Sequence, residues 1–463
     1  MPARSENGLS HLLANESAWQ PAFTLPRSFS TSIAHQARAH QVIPGAAHTY
    51  AKGDDQYPQD MCPVIACGEG CHVWDLDGNQ FIEFGSGVRS VTLGHGVESI
   101  VDAAHRASQA GTNFVRPHEI ELKAAEAMLG MIPGADMIKF AKHGSDATTA
   151  AVKLARAWTG RDMIAICSDH PFFSVDDWFI GTTDMDAGIL EMTKKLTVTF
   201  RYNDLASLQA LFDQYPSRIA CVMMEAERDE APKPGYLAAL RELVAKNGAL
   251  LVFDEIVAGF RLHTGGGQTL HGVTPDLSTW GKGMANGFSI AAIAGRREIM
   301  ELGGLTQTER DRVFLLSTTN GAETGSLAAC CATIEIYKSR DVIGHIRQVG
   351  ETIRDGFNAI TKSLGIEQFL YADGHPSVLF YVTKDPTGAR SQPYRTLLLQ
   401  EILKRGILAP SLVVNDAFTD ADISHSLWAF REAAEVYAKA IQAGSVAGFL
   451  EGRSVKPVFR KRV

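Results

Sequence analysis

Two residues placed at the ends of two short apolar runs carry the chemistry this sequence offers. Leu250–Phe253 is entered from the Asn247-Gly248 breaker and reads as a buried parallel strand that ends in the acidic pair Asp254-Glu255. A second short run, Leu277–Trp280, leads into Gly281-Lys282-Gly283. In a parallel α/β sheet, chemistry collects at the carboxyl ends of the strands. One carboxylate and one lysine, each at such an end, are therefore expected to face one crevice.

That pair suits a cofactor with a basic ring nitrogen at one end and an aldehyde at the other. Pyridoxal phosphate needs a carboxylate to keep its ring nitrogen protonated, so that the ring can act as an electron sink. It needs a lysine to hold its aldehyde as a Schiff base. The glycines around Lys282 let the backbone pass close to a flat ring. Taken singly, Asp254 reads more readily as a helix N-cap and Lys282 as a surface lysine. The joint pattern selects the cofactor reading.

The runs DEIVAGFR from Asp254 and GVTPDLSTWGKGMANG from Gly272 resemble the class III aminotransferases of fold-type I, most closely their glutamate-1-semialdehyde aminomutase branch. The resemblance covers about residues 35–450. It implies that Asp254 pairs with the pyridine nitrogen, that Lys282 forms the Schiff base, and that Lys282 moves the proton during a ping-pong transamination.

Stepping outward, the strand Met137–Phe140 runs into His143-Gly144-Ser145-Asp146-Ala147 and a long helix to Trp158. A strand, a Gly-Ser turn and a helix N-terminus make an anion site from free N–H groups and the helix dipole. By resemblance, Gly144 and Ser145 hold the cofactor phosphate. Asp146 is expected to cap the helix or to face away. After the strand Met163–Ser168, the resemblance makes Phe172 the aromatic shelf for the ring, with Phe173 as the alternative and the core as the ordinary place for either.

The strand Ile219–Met224 ends at Glu225, a candidate active-site carboxylate. Related enzymes continue Glu-Pro and then an asparagine; here the loop is EAERDEAPKPG, with Ala226 at the proline position and no match for the asparagine. Thr319 is placed by the resemblance at the phosphate of the neighbouring subunit, which implies a homodimer with shared active sites. A helix N-cap at Thr318 or Thr319 is the alternative. Lys52 falls where the semialdehyde enzymes carry a carboxylate-binding arginine, and no acid occurs in Pro410–Val413, where they keep a glutamate. Arg89, an arginine amid glycines, suits an anionic substrate or a salt bridge to the dimer mate. His95, in Leu-Gly-His, reads as structural.

The expected fold is α/β: a fold-type I large domain with a mostly parallel mixed sheet flanked by helices, plus a small α+β domain. The expected divisions are an arm over 1–30, an N-terminal segment of the small domain over 31–95, the large cofactor-binding domain over 96–335 and the C-terminal small domain over 336–463. Helices are expected over Thr31–Val42, Glu98–Gln109 and Glu119–Met131, and a hairpin around Asp77-Gly78.

Bulk properties agree with a globular enzyme. Apolar residues make up 45 % and charged residues 21 % of the 463, with net charge −8. The balance is wrong for a nucleic-acid binder. No window of about 20 apolar residues suggests a membrane span. The seven cysteines do not have zinc-knuckle spacing and read as reduced thiols in a cytoplasmic protein without a metal.

The activity these features imply is transfer of an amino group from an amino-acid donor such as glutamate to an aldehyde or ketone. TYAKGDDQYP, HPFFSVDDWFIGTT and KPVFRK resemble a subgroup tied to bacterial surface sugars, including an 8-amino-3,8-dideoxy-octulosonate aminotransferase, and so point to a carboxylate-bearing sugar acid as acceptor. The alternatives are glutamate-1-semialdehyde aminomutase and a non-catalytic cofactor-binding relative. A nucleotide-binding oxidoreductase is disfavoured because no G-x-G-x-x-G follows a strand. Decarboxylases and racemases of the same fold are not separated by these motifs.

Overall fold

The computed structural model describes residues 25, 26 and 28–462, so most of the expected N-terminal arm lies outside the described residues. The chain divides into two compact units. One comprises Met1–Val88, Leu93–Gly96 and Gly344–Val458; the other comprises Arg89–Thr92, Val97–Ile343 and Phe459–Val463.

In the first unit, α1 (Ser30–Val42) begins where Asp77 accepts from the N–H groups of Thr31 and Ser32, at 2.7 and 2.8 Å. The same Asp77 stands in the turn between β2 (His72–Asp75) and β3 (Gln80–Glu83), so one carboxylate serves a hairpin turn and a helix start. With β1 (Ile65–Glu69) these strands form an antiparallel meander, and the short strand Ile407–Leu408 adds in parallel to β3. Val73, Phe81, Leu403 and Leu408 fill the core beneath.

The second unit is built on a seven-stranded sheet. In chain order its strands are β4 (Met137–Ala141), β5 (Met163–Cys167), β6 (Thr197–Phe200), β7 (Ile219–Met224), β8 (Leu250–Asp254), β9 (Leu277–Trp280) and β10 (Ala291–Gly295). The spatial order is β4-β10-β9-β8-β7-β5-β6. All pairings are parallel except those of β10, which runs against both neighbours.

Continuous apolar runs make these strands because both faces are covered. Ile164, Ile166, Cys221, Met223 and Val252 pack against the alanine-rich face of α4 (Gly144–Thr159), where Ala147, Ala151 and Ala155 allow close approach. The alternate residues Ala165, Val222, Met224, Leu251 and Phe253 pack against α5 (Leu205–Gln214) and α6 (Tyr236–Lys246). Two sandwiched faces leave the carboxyl ends of β4, β5, β7, β8 and β9 along one edge, and the polar residues of the sheet collect there.

Candidate active site

Asp254 closes β8 and is 4 % exposed. Its Oδ1 accepts from the Ile256 N–H and from the Thr279 hydroxyl, both at 3.0 Å. Oδ2 has no hydrogen-bond partner among the described residues. Burial, and then the negative charge of Glu225, raise its pKa above the usual carboxylate value.

Lys282 lies just beyond β9, which pairs with β8 through Asp254 opposite Thr279. It starts a single 3₁₀ turn, Lys282–Ala285, and its own φ is 47°, a left-handed value that costs energy for any residue but glycine. A Cβ at Gly283 would come within 2.9 Å of the Thr92 methyl, so the turn tolerates no larger residue there. The Lys282 amine forms no hydrogen bond and no ion pair with the described residues. Burial, and then the cations Arg89 and Arg228, hold its pKa below the ordinary lysine value.

Glu225, directly after β7, is 2 % exposed. Strand register places it beside Asp254, since Met224 pairs with Phe253. Its Oε1 accepts from Arg228 Nη1 at 2.6 Å, while Oε2 is buried without a partner. Its backbone N–H donates to His170 Nδ1 at 3.0 Å, so that nitrogen carries no proton. Burial lowers the His170 pKa and keeps the ring neutral. Acid-rich loops are ordinarily solvated, but here Ala226, Glu227 and Arg228 are all buried. Tyr202 donates to the Ala226 carbonyl at 2.7 Å and Glu227 pairs with His271 at 2.8 Å, which pulls the loop inward.

At the end of β4, Asp146 accepts from the His143 N–H at 3.0 Å, closing a capping box. The acid therefore caps α4 and leaves the first turn, with half-buried Gly144 and Ser145, to an anion. A Cβ at Gly144 would meet the Ile256 side chain at 2.7 Å, so this start of α4 and the residue two beyond Asp254 pack directly together. Ser145 Oγ accepts from the Val175 N–H at 3.0 Å and keeps its own proton to donate.

Phe173 is sealed in the core, whereas Phe172 is 44 % exposed and touches Phe179 edge-to-face. Of the two aromatics, only Phe172 has a face available to a ligand. Thr319 is exposed and its carbonyl accepts from Asn113. The helix that follows, α7 (Thr324–Ser339), is capped by the Glu323 side chain, so neither Thr318 nor Thr319 is an N-cap. Lys52 and His95 belong to the first unit. Lys52 is exposed and makes no ion pair among the described residues, and His95 binds Glu83 at 2.9 Å.

Several contributors carried no sequence signal. Thr279 is one threonine in an apolar strand. Lys142 donates to the Ser289 carbonyl, Glu323 and Ser326 at 2.9, 2.9 and 3.0 Å, tying the start of α4 to the segment after Lys282 and to the start of α7. Glu255, adjacent to Asp254, points elsewhere: it accepts from the N–H groups of Gly267 and Gln268, both at 2.8 Å.

Residues 54–369 match the family model described as aminotransferase class-III. Glutamate-1-semialdehyde 2,1-aminomutase of Chloroherpeton thalassium is 32 % identical over 373 residues, 77 % of this chain and 84 % of that protein. The 3-aminobutyryl-CoA aminotransferase of Cloacimonas acidaminovorans is 32 % identical over 405 residues, 85 % of this chain and 94 % of that protein. The FumI protein of Sphingopyxis sp. MTA144, solved in its PLP internal aldimine form, superimposes with a TM-score of 0.81 at 26 % identity, covering 91 % of this chain and all (100 %) of that one. A glutamate-1-semialdehyde aminomutase from Pseudomonas aeruginosa PAO1 shares the fold, with a TM-score of 0.75 at 19 % identity over 88 % of this chain and 94 % of that one.

Proposed function

The chain belongs to the class III aminotransferase family, and from that premise we propose a pyridoxal-phosphate-dependent aminotransferase acting between an amino-acid donor and a carboxylate-bearing aldehyde or ketone. The observation that carries this reading is a pair of unused groups. The Lys282 amine and Asp254 Oδ2 stand at the ends of adjacent strands, and neither has a hydrogen-bond partner among the described residues.

The residues fit the cofactor. A buried carboxylate with one oxygen unsatisfied wants a cationic donor, which a protonated ring nitrogen supplies. The first turn of α4 would take the phosphate through the Gly144 N–H and Ser145, Phe172 would lie against the ring, and Glu225 Oε2 is free to accept. Thr319 of one subunit would reach the phosphate held by its partner. Its exposure supports that reading, as does that of Phe314, which is 75 % exposed. When bound, the cofactor supplies an electron sink for charge developing on the substrate carbon next to nitrogen. Lys282 Nζ takes the proton from that carbon and later gives one back. Its pKa, lowered to about 8, gives it a larger share of neutral, basic amine near neutral pH than an ordinary lysine has. A protonated ring nitrogen at Oδ2 would hold Asp254 in its charged form, which its Oδ1 bonds also favour, against the burial that raises its pKa.

Lys52 and Arg89 are each proposed to meet an anionic substrate, and an anionic sugar acid is the acceptor this reading favours. A second reading, glutamate-1-semialdehyde aminomutase, is favoured by the names of relatives near 30 % identity. Lys52 in place of an arginine, and the lack of an acid in Pro410–Val413, weigh against it. No helix among the described residues is long and apolar enough to cross a membrane, and all seven cysteines are free, which suits a cytoplasmic enzyme.

The test is the absorbance of the holoenzyme. L-Glutamate should remove the visible band of the lysine-bound cofactor, and an anionic sugar aldehyde should restore it. Lys282→Ala should lack the band and lose about 10³-fold or more in turnover. Cycling by glutamate semialdehyde alone, with release of 5-aminolevulinate, would establish the aminomutase instead.

A further inference from the structure

The turn between β1 and β2 is only Gly70-Cys71, because Glu69 pairs with His72 and Gly70 takes a left-handed φ of 57°. Neighbouring residues of a regular strand point to opposite faces. Cys71 belongs to the turn and escapes that rule. Its Sγ, a ring nitrogen of His72 and a carboxylate oxygen of Asp422 lie within 4.8 Å of one another. All three residues belong to the first unit, and none takes part in the candidate active site. Cys71 is 1 % exposed and the Asp422 side chain 7 %, whereas the His72 side chain is 26 % exposed. The cluster is therefore shielded, yet solvent reaches it past the imidazole.

The carboxylate is held in the way a metal ligand is held. Asp422 stands in the first turn of the helix Asp420–Gln442, and its Oδ2 accepts from the Thr419 N–H and hydroxyl at 2.9 and 2.6 Å. Those bonds fix the carboxylate plane and leave Oδ1 to His72, whose Nε2 donates to it at 2.8 Å. The Cys71 thiol also bonds Asp422; burial, and then the charge of Asp422, raise its pKa and keep it protonated. An ion pair fastening a hairpin to a helix needs only His72 and Asp422. A thiol within reach of the same carboxylate completes a set of sulfur, nitrogen and oxygen donors.

We propose that Cys71, His72 and Asp422 bind a zinc ion, with a fourth position open to water. Thiolate, imidazole and carboxylate are the donors zinc takes. Binding releases the thiol proton and moves the imidazole proton from Nε2 to Nδ1, and the two anionic ligands then balance the double charge of the ion. The metal fastens the β1–β2 turn to the start of the helix, a structural role that goes beyond the aminotransferase reading and does not depend on it. The cysteine spacing gives no sign of this site, because the carboxylate comes from the far end of the chain.

The experiment is equilibrium dialysis of the holoenzyme against zinc, followed by zinc-edge X-ray absorption and thermal melting. The wild type should retain about one zinc per chain, with a Zn–S distance of about 2.3 Å and Zn–N and Zn–O distances of about 2.0–2.2 Å, and its melting temperature should rise with free zinc. Cys71→Ser and His72→Gln should each raise the zinc Kd by about 100-fold or more. His72→Gln keeps an N–H for Asp422, so it decides the matter if Cys71→Ser does not fold. Cys67→Ser, at the exposed thiol, should bind zinc as the wild type does. Zinc held without sulfur in its shell, binding within about twofold of wild type in a folded Cys71 or His72 variant, loss of binding in Cys67→Ser, or no zinc retained by the wild type overturns the site.

Discussion

Thr279 and Asp254 face one another across adjacent parallel strands, and the threonine hydroxyl donates to Asp254 Oδ1 at 3.0 Å. With the Ile256 N–H on the same oxygen, the carboxylate plane is fixed and Oδ2 is left for a ligand. Asp254→Asn should cut kcat by about 100-fold or more while changing cofactor affinity far less, because it removes charge and keeps shape. Thr279→Val removes one hydrogen bond to a carboxylate, about 1.5 kcal/mol, and should cost about tenfold in kcat. Stopped-flow half-reactions measure both; an unchanged rate in Asp254→Asn would refute its role.

Lys282 is held near a pKa of about 8 by burial and then by Arg89 and Arg228. Only the neutral amine attacks an aldehyde, so the rate at which the cofactor-free protein captures pyridoxal phosphate should rise with pH and level off near that value. Removing a neighbouring cation lets the amine keep its proton longer, so Arg89→Gln should move the inflection upward. The folded value lies below the ordinary 10.5. Between the two, the unfolded chain binds more protons, so this lysine's contribution to the stability of the cofactor-free protein rises with pH across that window. Melting curves of wild type and Lys282→Met over the same range measure the difference.

Glu255 is fully buried, and burial raises its pKa to about 8 although two N–H groups bond it. It acts as an internal cap for the short helix Gly266–Leu270. Glu255→Ala strands two buried donors and should cost about 2–4 kcal/mol of stability, read as a lower denaturation midpoint. Gly266→Ala should be comparably harmful, since its Cβ would fall 2.5 Å from that carboxylate at a φ of +76°.

Lys52 is exposed, with no ion pair among the described residues, and pairs with a carboxylate as a point charge. Lys52→Ala should raise the KM for an anionic acceptor about three- to tenfold with little change in kcat. Equal KM values would return Lys52 to the solvent.

The five sheet strands read from the sequence were legible because each is a short run bounded by breakers, and Leu277–Trp280 and Ile219–Met224 agree in both limits. The hairpin at Asp77-Gly78 and the helix over Glu98–Gln109 were equally plain, since turn chemistry and helical periodicity are local. The loop after Glu225 was not. Acids in such a loop are ordinarily solvated, and only its packing against Tyr202, His170 and His271 reveals it as interior.

The sequence by itself determined the strand–loop order that puts Asp254 and Lys282 at strand ends, and the Gly144-Ser145 helix start, because these depend on patterns a few residues long. Only the tertiary structure decided which polar atoms remain unsatisfied. Asp254 Oδ2 is free because Thr279 and Ile256 occupy Oδ1. Arg89 forms no hydrogen bond among the described residues, while Glu225 gives one oxygen to Arg228 and keeps the other unpartnered. Glu255 is excluded from the chemistry because Gly267 and Gln268 claim it. Satisfaction of a buried polar group depends on residues distant in the chain, and so it becomes visible only once the strands are laid side by side.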